Sequence, residues 1–73
     1  MNDQEAPVTD PITREALAAR HGKVWSEEEL SQEFAVTAII GMSVVARRKV
    51  DGVVGTLEFT NEPRFYFNWR TLP

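Results

Sequence analysis

Residues 43–59 read SVVARRKVDGVVGTLEF, and the Asp51-Gly52 step inside that stretch decides the fold. Both flanks are rich in β-branched residues. Asp-Gly between two such runs predicts a hairpin closed by a two-residue type I′ turn. That turn pairs Val50 with Val53. Counting outward, Arg48 falls opposite Gly55, Ala46 opposite Leu57 and Val44 opposite Phe59. These residues share one face because strand side chains alternate. Lys49, Arg47 and Val45, with Val54, Thr56 and Glu58, take the other face.

Downstream, Phe65 to Trp69 or Arg70 reads as a further strand behind a turn at Pro63. A loop of Asn61, Glu62 and Pro63 pairs Thr60 with Arg64. Phe59 then meets Phe65, Leu57 meets Phe67, and Gly55 meets Trp69. A slip of one residue would carry these aromatics to the polar face, which selects this register. Trp69 beside Gly55 is an aromatic covering a glycine. Upstream, Ala35 to Ile40 and Ser43 to Val50 are apolar and β-branched. They are either two strands divided at Gly41-Met42 or one strand with a glycine bulge.

Two helices are expected before the sheet. Ser26-Glu27-Glu28-Glu29 is a capping box, with Trp25 before the cap and Leu30 after it in the spacing of a hydrophobic staple. This predicts a helix from about Glu27 to Phe34, with Leu30 and Phe34 on one side. Asp10-Pro11 reads as a cap followed by proline at the first helical position, with Thr9 as a rival cap. Ile12, Ala16, Leu17 and Ala19 make a weak apolar stripe that ends at His21-Gly22. Residues 1–9 are polar and aperiodic and read as a disordered tail. The expected architecture is α+β. It is a single domain over 10–73, with a core over about 23–70 and one or two short N-terminal helices on an antiparallel meander of three or four strands.

At 73 residues, the chain buries a limited core, and small domains often add disulfides, a metal or a second subunit. Zero cysteines exclude disulfides and thiolate chemistry, and a lone histidine is a poor basis for a zinc site. No cofactor or metal is implied. No segment has the length of a membrane span or the pattern of a signal peptide, which predicts a cytoplasmic protein. The formal net charge is −3, carried by the N-terminal half, so the chain as a whole is no evident nucleic-acid binder.

Two faces carry the functional reading. Trp25, Leu30, Phe34, Leu57, Phe59, Phe65, Phe67 and Trp69 form a core or self-association face. The aromatics among them exceed what one short helix covers easily. The last strand is a second candidate, as a sheet edge open to pairing. Arg47, Lys49, Arg64, Tyr66, Asn68 and Arg70 form a basic face for a partner or, as the alternative, for nucleic acid. Reversing the charges of Arg47, Lys49 and Arg64 is expected to leave folding nearly intact. Arg48 falls on the apolar face, where its stem can lie on the Trp69 indole. Catalysis has little to draw on. His21 sits at a helix end, Ser26 is a cap, Asp51 belongs to a turn, and Glu58 has basic cross-strand neighbours. The expected function is a non-enzymatic binding or oligomerisation module, its partner a protein or a second copy in a homodimer.

Arg47-Arg48-Lys49, Asp51-Gly52, Gly55-Thr56-Leu57-Glu58-Phe59 and Pro63-Arg64-Phe65-Tyr66-Phe67 together form a string. It resembles one shared by small bacterial and prophage proteins of unknown function, and the segment from Trp25 to Phe34 fits the same pattern. The resemblance covers about Val24 to Trp69. It implies a domain beginning near Lys23 with a variable helix before it, and it implies no catalytic residue and no ligand.

Overall fold

A computed structural model of the chain describes residues 12–73. Its elements are α1 (Arg14–His21), β1 (Val24–Ser26), α2 (Glu27–Glu33), β2 (Phe34–Ile40), β3 (Ser43–Arg48), β4 (Val54–Phe59) and β5 (Phe65–Thr71). The strands form one sheet in the order β1-β5-β4-β3-β2, with every neighbouring pair antiparallel. The class is α+β, as expected, but the sheet has five strands where three or four were expected. The added strand is β1, which pairs Val24 with Phe67 and Trp25 with Tyr66. Three residues are too short to show a period of two, so only the free side of β5 reveals this strand.

Thr13 caps α1, its hydroxyl accepting from the Ala16 amide, and Gly22 closes it at φ 84°. A positive φ of this kind is open to glycine and strained for other residues, so the helix stops there. The expected cap at Asp10-Pro11, its rival Thr9 and the expected tail lie outside the described residues. In α2 both halves of the capping box are made. Ser26 Oγ accepts from the Glu29 amide, and Glu29 Oε1 accepts from the Ser26 amide. Phe34 ends this helix and begins β2 in extended conformation. With no loop on either side, α2 carries the chain from one edge strand of the sheet to the other. It therefore lies across one face, and Leu30 is its buried residue.

The two hairpin registers differ from the expected ones, in different ways. Gly41-Met42 is a turn between two strands, with Ile40 opposite Ser43. In the β3–β4 hairpin Arg47 pairs with Val54, Ala46 with Gly55 and Val44 with Leu57. The expected Val50–Val53 pair is absent, and residues 49–52 form the loop. Arg48 and Val53 close it through their backbones, and the Gly52 amide donates to the Arg48 carbonyl. Asp51 explains the wider loop. Its carboxylate accepts from the Val53 amide and from the Arg48 guanidinium, an arrangement a two-residue turn has no room for. The slip relative to expectation is two residues, so each side chain keeps its face.

The β4–β5 slip is one residue and does change faces. Thr60 pairs with Phe65 through its amide and hydroxyl, so the loop spans residues 61–64. Phe59 then meets Tyr66, and Glu58 meets Phe67. Tyr66 thus joins the core face, while Phe65 and Phe67 turn to the opposite face. Further along, Thr56 meets Arg70, so β5 holds one residue more than β4 between these pairs. Asn68, at φ 58°, sits in that bulge. The bulge reverses the alternation and returns Trp69 to the core side.

The main core is Trp25, Leu30, Phe34, Val44, Ala46, Leu57, Phe59 and Tyr66, with Trp69 half-buried against it. The opposite face has its own cover at one end. There His21 of α1 stacks on Phe67, with ring centroids 4.5 Å apart, beside buried Val24. The two helices therefore lie on opposite faces of the sheet.

Candidate functional site

The residues expected to form one basic face are divided among three places. Arg47 and Arg70 are exposed on the face opposite the main core, on strands separated by β4. Asn68 is on the same side and donates through Nδ2 to Glu58 Oε2 at 3.0 Å. Lys49 lies in the β3–β4 loop, and its Nζ donates to the Ser31 carbonyl at 2.8 Å. A cation there satisfies a carbonyl near the end of α2 and complements the helix dipole. Arg64 lies on the core side. Its guanidinium donates to Asn61 Oδ1 at 2.7 Å and to the Tyr66 hydroxyl at 3.2 Å, and it lies 4.4 Å over the Phe59 ring. Tyr66 itself is buried. No ring is left exposed among these residues as a stacking platform.

Of the residues expected on a core or self-association face, Trp25, Leu30, Phe34, Leu57 and Phe59 are brought together and buried by α2. Phe67 is buried under α1, and Phe65 and Trp69 are half-buried. Arg48 lies 5.4 Å over the Trp69 ring, as its place on the apolar face predicts, and its charge is paired to Asp51 at 2.8 Å, which the sequence reading did not anticipate.

The acidic groups have structural partners. The Arg14 guanidinium donates to both oxygens of Glu29 and to the Val24 carbonyl. The hydrogen bond from Arg14, then that from the Ser26 amide, holds the Glu29 carboxyl below its ordinary value. The bond from Arg48, then that from the Val53 amide, does the same for Asp51. Among the described residues no cluster of His, Asp and Glu is placed to hold a metal ion. No helix among them is long and apolar enough to cross a membrane.

The two edges of the sheet are unlike. At one edge, β1 is three residues long, α1 packs beside it, and Arg14 Nη2 bonds its Val24 carbonyl. At the other, β2 is seven residues long, FAVTAII, without charge or proline. Val36 to Ile40 are all exposed, with Ile39 at 65% and Ile40 at 66%. An apolar cleft of about 350 Å³ adjoins this strand, with Leu30, Phe34, Val36, Ile39 and Val44 in its wall and Glu27 and Arg64 among its polar residues. The last strand, expected as the open edge, is interior because β1 covers it. Sequence reasoning missed the β2 edge because an apolar, β-branched run reads equally as a buried central strand. Only the strand order tells the two apart. No family model, curated protein or solved structure matches the chain.

Proposed function

We propose that this chain is a small non-enzymatic association module that adds a β-strand from a protein along its free β2 edge. The observation behind this reading is the edge itself: long, uncharged and exposed. Unpaired backbone amides and carbonyls along a strand bind another strand through main-chain hydrogen bonds, and alternate side chains supply selectivity. Natural sheets blunt such edges with lysine, proline or a covering helix. The β1 edge has cover of this kind, whereas among the described residues β2 has only a bulge at Thr37.

The absence of catalytic chemistry in this reading rests on the occupations of Ser26, Glu29, Asp51 and Glu58, each engaged in a cap, a turn or a cross-strand bond. Nucleic acid is the weaker alternative. Lys49 and Arg64 are engaged in structural bonds, which leaves Arg47 and Arg70 as the exposed cations of the expected face. The Cys-free chain suits a reducing cytoplasm, where we place it.

A photo-crosslinking residue at Ala38, compared with one at exposed Val50, tests the reading in cells that make the protein. Discrete protein adducts from position 38 and none from position 50 are expected. Equal adducts from both, or none from either, would remove the β2 edge as the binding element.

A further inference from the structure

We infer that the strand added at β2 is β2 of a second copy, in an antiparallel two-fold pair with Val36 opposite the partner copy's Ile39. This rests on the edge-binding reading and gives it an occupant and a register. The bulge carries the argument. Val36 pairs with Ala46 and Ala38 with Val45, so Thr37 is an extra residue in β2. Strand alternation is reversed across it. Val36 and Ile39 therefore lie on one face, the face of Val44 and Ala46, while Ala35, Ala38 and Ile40 lie on the other.

Directly opposed residues in an antiparallel pair must share a face. Two copies related by a two-fold axis satisfy this on both sides of the bulge when Val36 opposes Ile39 and Ala35 opposes Ile40. Thr37 and Ala38 of each copy then meet at the axis, equal in number, so the two bulges need no slip. A register displaced by one residue would oppose Val36 to Ile40 and set the faces against each other. The irregularity that would spoil a regular partner strand is thus matched by its own copy.

Charge and apolar area agree with this arrangement. The strand carries no charge, so self-pairing brings no like charges together. The nearest acid on the strand's N-terminal side, Glu33, would lie about 30 Å from its counterpart at ~3.4 Å per residue, well beyond a Debye length of about 8 Å. On the core side, Val36 at 43% exposure and Ile39 at 65% would meet the same two side chains of the second copy. The two apolar clefts beside them would then join into one covered patch.

The absence of cysteine makes the register directly readable. Light scattering on the full chain across concentration should give a mass near twice 8.3 kDa, and Ile39→Lys should return it to the monomer. Val36→Cys and Ile39→Cys chains, mixed and mildly oxidised, should form a disulfide-linked dimer several-fold more than either alone. Opposed residues fall within disulfide reach, whereas two copies of residue 36 would lie about 10 Å apart along the strands. Val50→Cys reports the collisional background. A dimer with no preference for the mixed pair overturns the register. A monomer at every concentration overturns the second copy. If position 38 still captures a different protein, the edge-binding reading survives that result; if it captures nothing, both fail.

Discussion

A β-carbon on Gly55 would run into the Arg70 carbonyl and come within 2.6 Å of Trp69 Cη2. The Arg70 carbonyl and the edge atoms of the Trp69 indole occupy the space beside the glycine, although the backbone partner of Gly55 is Thr71. Gly55→Ala should therefore destabilise the fold by about 1–3 kcal/mol, the usual cost of overpacking, seen as a lower urea midpoint. An unchanged midpoint would show that Trp69 gives way freely. The basic residues also separate at this scale. Arg47→Glu should change stability by no more than about 0.5 kcal/mol, as for an exposed residue with no side-chain hydrogen bond among the described residues. Lys49→Glu and Arg64→Glu should each lower it, because these side chains satisfy the end of α2 and the loop over residues 61–64. The bonds made by Lys49 and Arg64 thus narrow the expectation of a neutral reversal to Arg47, and these measurements check it.

At the scale of the element, α2 depends on its first turn. Glu29 serves the capping box and also accepts from Arg14, which ties α1 and β1 to the start of α2. Glu29 and Asp51 are held below their ordinary values of 4.5 and 3.8. For groups lowered in this way, the stabilisation is complete above the ordinary value and is lost as pH falls through the folded-state value. Thermal stability should accordingly hold from neutrality to about pH 4.5 and then decline. Glu29→Gln should start lower at neutral pH and decline less. Parallel curves for the two proteins would show that the Arg14–Glu29 pair does not couple folding to pH.

For the whole molecule, the two helices do different work. α2 covers the main core, whereas α1 has no buried residue of its own. Yet α1 shields Phe67 through His21 and occupies the β1 edge through Arg14. A chain starting at Lys23 should keep the sheet but unfold at lower denaturant. It should also self-associate more readily, because a second edge is uncovered. Light scattering and urea titration of that chain measure both effects. Unchanged stability would assign α1 no part in the cover.

The local signals were legible because their chemistry is contained in a few adjacent residues. The capping box at Ser26 and Glu29 and the stop at Gly22 both follow from short-range spacing, whereas the break at Gly41-Met42 was legible only as a turn or a bulge. The faces of β3 and β4 also survived a misjudged loop, since a slip of two residues preserves alternation. The faces of β5 did not. The longer loop after Thr60 moved its pairing by one residue, and the bulge at Asn68 moved it back for Trp69. Asn68 was the available sign, as asparagine tolerates positive φ better than most residues. Strand order was beyond any local signal. Whether FAVTAII lies at the centre of a sheet or at its edge depends on β1 pairing with β5, a contact between segments some forty residues apart. Short-range chemistry therefore determined the helix caps and the alternation of β3 and β4. Long-range pairing alone decided which strand was left open, and with it where we propose that a second strand is added.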